Sequence, residues 1–360
     1  MRRPHSIAAM VQAPMLRLAA TLLIGIVTTL ALPRLGLAAG RGPSVEEAEQ
    51  NNATAEVLRL LHPANINGLD WLAEKWRSSM ERTSSGTLKI GLFYKLFYDF
   101  ERSASRANYP NGQMWRLVEK WLKEKPSSPT AVILQSLLFI AQAQKSELWH
   151  SQPTTAPWRG RAIVDFTTAA RDTLVEHKEI AKKDPHWYVA MARLQKLEYA
   201  PYDEILTTHA EALQAFPDYD PEHFEIFDIL TERWPSAHIL MDGFANTILA
   251  QIKGDNGLVQ YARLYDHAAQ KKSVEDLEEV GLLKWQVAQQ GFEKLVEQFP
   301  TQWNLQRYAL YACFAHDRNT ARRFYPAFAD SKLVIHSVWG TPLIFERCQT
   351  WAVDNSRSSP

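Results

Sequence analysis

Apolar residues recur along most of this chain at the spacing of one helix face. The stretch "MWRLVEKWL" places Met114, Leu117, Val118, Trp121 and Leu122 at i, i+3, i+4, i+7 and i+8. "ILTTHAEALQAF" does the same with Ile205, Leu206, His209, Ala212, Leu213 and Phe216. Two stretches, 87–100 and 131–144, are apolar nearly all round, which predicts helices buried centrally. No alternating run with hairpin turn chemistry appears, so strands are not needed. The pattern predicts about a dozen helices. Ser44 and Glu47 have capping-box spacing, so a helix start is expected there.

The breaks share a type. "KEKPSSP", "KKDPHW", "QAFPDYDP" and "EQFPTQW" each end an amphipathic helix with proline and begin another soon after. Proline cannot continue a helix interior but suits a turn or a first helical position. Pro185 and Pro217 are 32 residues apart, close to the roughly 34-residue tetratricopeptide period. Ala288, Phe292 and Pro300 have the small–large–proline offsets of that repeat's second helix. Other spacings are irregular: 59 residues from Pro126 to Pro185 and 83 from Pro217 to Pro300. The expected fold is therefore an all-α, irregular helical-hairpin array, an α-solenoid of tetratricopeptide-like type with no significant sheet. It should span 57–350, after a polar lead-in at 41–56 and before a flexible tail at 351–360.

The first forty residues read differently. They hold Arg2, Arg3, Arg17 and Arg34 and no Asp or Glu, and residues 18–32 carry no charge. With Ala38, Ala39 and Gly40 following, this is a secretory signal pattern. The run is short of the ~20 residues of a membrane span, and an uncleaved inner-membrane anchor at 18–32 is the alternative. Export implies a periplasmic or secreted protein with a mature start between Ala39 and Arg41.

Charge narrows the partners. Forty Lys and Arg balance forty Asp and Glu, so no strong field invites nucleic acid. A membrane would be met only through the anchor. The two cysteines, Cys313 and Cys348, would enter an oxidising compartment and either pair or stay as buried thiols.

Four places hold chemistry-bearing side chains. "YACFAHDRNTARRF" puts Cys313, His316 and Asp317 within five residues. A nucleophile or metal site competes there with a helix joint. In the joint, His316 ends one helix, Asp317 starts the next, and Cys313 packs among Ala309, Ala312 and Phe314. Zinc would need further ligands at recognisable spacing, and none are nearby. "FPDYDPEHFE" offers Asp218, Asp220, Glu222 and His223. As a calcium loop it fails, with His223 at the glycine position and Ile229 at the glutamate position. Asp220 as N-cap with Pro221 at N1 fits better. Arg233 and Trp234, just before Pro235, offer either a stacking surface for a ligand or an anchor between helices. Trp158 and Arg159 in "PWRGRAI" are a similar pair. Those four are the candidate binding residues. No catalytic template, metal set or cofactor motif is found.

From about residue 115 to 330, the stretches "PWRGRA", "DPHWYVAMARLQKLEYAPYDEILTTHAEALQAFPDY", "LTERWPSAHILMDGFA" and "GFEKLVEQFPTQWNLQRYALYACFAHDRNTARRF" carry a likeness. They resemble a bacterial family known as domain of unknown function 4034. The resemblance implies a helical, tetratricopeptide-like architecture and brings no activity or functional residues. Family members tend to have Gly after the Arg-Trp pair, where this chain has Pro235-Ser236. The expected role is a protein- or peptide-binding scaffold of the cell envelope. An envelope enzyme with a site in the helical groove is the alternative, and a purely structural part would show a large apolar patch.

Overall fold

The computed structural model describes residues 43–104, 112–150, 158–233, 237–271, 283–328 and 333–354. Side chains are described for these except 147–150, 158–160, 233, 237–238 and 271. Among the described residues the chain is all-α, with seventeen helices and no strand. The one bridge outside the helices joins Arg82 to Leu88.

The first half runs α1 (Val45–Leu61), α2 (Ile66–Ser79), α3 (Lys89–Ser103), α4 (Gln113–Glu124), α5 (Pro129–His150), α6 (Trp158–Glu176), α7 (Lys178–Ala181) and α8 (His186–Leu197). The second half runs α9 (Tyr202–Ala215), α10 (Asp220–Arg233), α11 (Ala237–Gln251), α12 (Asp255–Lys271), α13 (Trp285–Gln298), α14 (Gln302–Phe314) and α15 (Arg318–Phe324). A 3-10 turn (Tyr325–Phe328), α16 (His336–Trp339) and α17 (Pro342–Val353) complete it.

Local chemistry explains these elements. The Ser44–Glu47 capping box starts α1, both of its bonds being made. Pro129 opens α5, Pro185 and Pro201 stand at the N-caps of α8 and α9, and Pro300 separates α13 from α14. In α4 the expected stripe is the buried one: Met114, Leu117, Val118 and Trp121 face the core, with Leu122 half-buried. Helix α5 is buried nearly all round, with Leu134 and Leu137 fully buried, whereas α3 buries Phe93, Tyr94 and Phe97 on one face and exposes Lys95 and Arg102 on the other.

Most helices pack on a sequence neighbour, and helices further apart also stack, α3 on α5, α5 on α8, α8 on α10 and α10 on α12. This leaves an inner layer and an outer layer, as in a helical repeat. Two hydrophobic clusters form the core. One is built around Trp76, Phe93 and Trp121, the other around Phe227, Phe292, Tyr311 and Trp339.

Two boundaries move. Residues 45–56 are no separate lead-in, because α1 is continuous and buries Glu46 and Ala53 against the array. Residues 351–353 are no tail, because Trp351 and Ala352 are buried in α17. Residues 1–40, with the export pattern, lie outside the described residues. Among the described residues no helix is long and apolar enough to cross a membrane.

The array also closes on itself, which an open solenoid does not do. The loop between α2 and α3 reaches across to the second half. Ser85 hydrogen-bonds Thr301 through their hydroxyls at 2.8 Å, and Asn304 Nδ2 donates to the Ser85 carbonyl at 3.3 Å. Gly86 sits at φ +95°, where a Cβ would lie 3.1 Å from the Phe299 ring, so both conformation and space require glycine. The start of the array meets its end as well, where Ser337 Oγ donates to Glu47 at 2.9 Å.

Candidate functional site

Of the four candidate binding residues, Trp158 and Arg159 begin α6 and Arg233 ends α10. Their side chains, and all of Trp234, lie outside the described residues. Helix α10 is described up to Arg233 and α11 from Ala237, so the helix stop expected at Pro235 lies outside the described residues.

The cluster at Cys313 is a helix joint. Cys313 is disulfide-bonded to Cys348, which ties α14 to α17 with a Cα–Cα distance of 5.7 Å. Among the described residues no cysteine is free. His316 turns the chain in the left-handed region at φ 55°, and its ring stands edge-on to Trp351 at 6.1 Å. Asp317 caps α15 by accepting from the Thr320 amide at 3.0 Å and the Thr320 hydroxyl at 2.7 Å. It also accepts from Trp285 Nε1 at 3.1 Å and Gln289 Nε2 at 3.2 Å. Burial works against its charge, but these bonds win and hold its carboxyl below the usual range.

Asp220 corrects an expectation. Its carboxylate does not serve as a helix cap, because both oxygens are taken by groups from elsewhere in the chain. Arg82 donates to both oxygens at 2.7 and 3.0 Å, Arg263 pairs with Oδ2 at 2.9 Å, and Gln260 donates to Oδ1 at 2.8 Å. Asp220 is 1% exposed. Burial alone would raise its pKa, and the two guanidinium charges instead hold it far below the usual carboxylate range. The same Arg82 donates to the Asp218 carbonyl at 2.8 Å, and Arg82 and Arg263 both donate to the Gly86 carbonyl. The ion pair thus pins the closing loop to α10 and α12.

Glu222 and His223 meet His209 in the core. Both Glu222 oxygens lie 3.0 Å from His209 Nδ1, and Oε2 lies 3.0 Å from His223 Nδ1. His223 Nε2 donates to the Pro217 carbonyl at 2.9 Å. Two imidazoles and a carboxylate this close are also a donor set for a transition metal. Without a metal the same spacings serve as hydrogen bonds, and the acceptor at each His223 nitrogen favours a doubly protonated ring. Burial would lower the His223 pKa, but Glu222 and the Pro217 carbonyl raise it above the ordinary value. Glu222 is lowered against its own burial by the charge of His209 and by bonds from both rings.

The sign of the pH effect follows. The His223 contribution is complete below pH 6.5 and is lost as pH rises through its raised pKa. The Glu222 contribution is complete above pH 4.5 and is lost as pH falls through its lowered pKa. Urea denaturation should therefore show a loss of stability from pH 6.5 upward that His223→Gln lacks. Equal slopes for both proteins would assign the pH dependence to other groups.

The accessible site is a cleft of about 720 Å³ on the inner layer. Its walls come from α1, α3, α8, α10, α12 and the start of α14. A second cleft of about 570 Å³ lies beside it, and Arg263 lines both. The larger one holds seven carboxylates against five Lys and Arg, so it repels polyanions. Its charges are matched in place: Arg193 with Glu225 at 2.7 Å, His267 with Asp228 at 3.0 Å, Lys95 with Asp99, and Lys196 with Glu232. Flat rings interrupt them. Tyr98 lies under the Arg193 guanidinium at 4.2 Å, and Phe224 stacks on His267 at 4.6 Å.

A general acid in this cleft would need a carboxyl raised toward neutrality. Asp220, in this wall, is shifted the other way. His186, Arg193 and Tyr98 were not singled out by sequence, because nothing local marks them. His186 appears there only as the residue after a helix-starting proline.

The chain matches no family model, no curated protein and no solved structure.

Proposed function

We propose that this protein is an exported binding module of the cell envelope, and that its inner cleft holds a short polar peptide segment of a partner protein. The observation that carries this is the cleft wall itself, a row of paired charges of both signs interleaved with rings along stacked helices. A peptide offers donors, acceptors and charges of both signs along one extended chain. The surplus of carboxylates favours a segment that includes Lys or Arg. Export is supported by the pattern in residues 1–40 and by the disulfide, a bond that persists in oxidising compartments. The likeness to the domain of unknown function 4034 family fits the helical array and adds no activity. The large exposed apolar side chains, among them Trp71, Val164, Ile239 and Leu343, are spread over α2, α6, α11 and α17, so no single helix face recommends a purely structural part.

Site-specific photo-crosslinking in the native host tests this. A crosslinker replacing Gln270, which lines the cleft, should capture a defined segment of an envelope protein. One replacing the exposed Thr247 on the outer α11 should not. The captured segment, made as a peptide, should bind the purified protein more weakly as salt rises. Equal capture at both positions, or a peptide that is cleaved rather than bound, would overturn it.

A further inference from the structure

One face of α8 presents His186, Val189, Arg193 and Lys196 to the larger cleft, at the three- and four-residue steps of a helix. Arg193 is positioned from two sides. Its Nε donates to Glu225 of α10 at 2.7 Å, and its plane lies on Tyr98 of α3. Its Nη1 is buried and has no partner among the described residues. His186 is held as firmly. Its ring stacks on Tyr94 at 4.1 Å and 11°, and its Nδ1 lies 2.8 Å from the Tyr219 hydroxyl. Its Nε2 is likewise buried without a partner among the described residues.

The proton on His186 can be placed. Tyr219 is 1% exposed, and His186 Nδ1 is the one hydrogen-bond partner of its hydroxyl among the described residues. A buried hydroxyl donates where it can, so Tyr219 donates and Nδ1 accepts. The ring proton then sits on Nε2. Burial and the nearby Arg193 charge keep the ring neutral, well below its ordinary pKa. Just behind the cleft wall, two buried N–H donors, one of them charged, thus have no acceptor among the described residues.

We propose that Arg193 and His186 form a carboxylate-binding subsite, which takes a C-terminal or side-chain carboxylate of the bound peptide. This rests on peptide binding in the same cleft. A carboxylate presents two acceptor oxygens, and a charge-assisted bond to guanidinium is roughly twice as strong as a neutral one. The carboxylate surplus of the cleft acts at longer range, where a Debye length of about 8 Å screens it. A monoanion in direct contact with Arg193 overcomes that surplus. A phosphate dianion meets it twice over.

The test uses the purified protein with labelled histidine rings, observed by NMR, with N-acetylglycine, N-acetylglycinamide and inorganic phosphate as probes. The His186 signal is the one missing from His186→Phe. N-acetylglycine should shift it saturably, and the amide should not. The charge-neutral pair Arg193→Gln with Glu225→Gln should weaken this binding by about tenfold or more, the scale of one charge-assisted contact, while its thermal melt shows that it still folds. Equal shifts with the amide would make the subsite a carbonyl site, and tighter phosphate binding would make it a phosphate site. No saturable shift at ~100 mM, far above the ~1 mM scale of weak specific binding, would also overturn the carboxylate subsite. If Gln270 still captures a segment in any of these cases, peptide binding stands without the subsite. Saturable N-acetylglycine binding without a captured segment leaves a small-carboxylate site and removes the peptide.

Discussion

Asp220→Asn is expected to destabilise the fold by about 3–5 kcal/mol, the usual cost of breaking a buried ion pair by removing one partner. The substitution keeps the shape and removes the charge. Arg82 and Arg263 then stay largely buried without the carboxylate they share, at 18% and 12% side-chain exposure. Because Arg82 belongs to the loop that closes the array, the loss should be local as well as global. Protease cleavage near residues 80–88 should accelerate before the rest of the fold gives way. Arg82→Ala should cost less, since Asp220 would keep Arg263 and Gln260. The contribution of Asp220 is complete above pH 3.8 and is lost only as pH falls through its much lower folded pKa. Equilibrium urea denaturation of both variants decides. An Asp220→Asn protein that unfolds like the wild type would show that solvent already screens this pair.

Removing the disulfide should cost a similar amount, roughly 4 kcal/mol, by the chain-entropy argument for a loop of this length. Cys313 and Cys348 are 35 residues apart. Both are fully buried, so replacing both with Ala also leaves small voids. The double Ala variant and the reduced wild type should melt at similar, lowered temperatures. α16 and α17 should loosen first, because the bond is the covalent tie from α14 to α17. A melt unchanged by reductant would mean that the packing of Trp339, Phe345 and Trp351 already holds this end of the array.

The sequence determined by itself what depends on neighbours three and four residues apart. The stripe from Met114 to Trp121, the capping box of Ser44 and Glu47, the proline starts, and the cap that Asp317 makes to Thr320 are all local patterns set within a few residues. The start of the array was misplaced by sequence because α1 looks polar until packing buries one face, and the end because Trp351 and Ala352 stand beside a polar terminal stretch. The tertiary structure alone decided the rest. The partners of Asp220 lie 138 residues away in Arg82 and 40 away in Gln260. A short polar side chain before a helix is a sound cap by local rules. Burial changed its role, because a desolvated carboxylate goes to whichever opposite charge the packing delivers. The cleft is of the same kind: Tyr98, His186, Arg193 and Glu225 belong to three helices and acquire a common chemistry only where those helices stack.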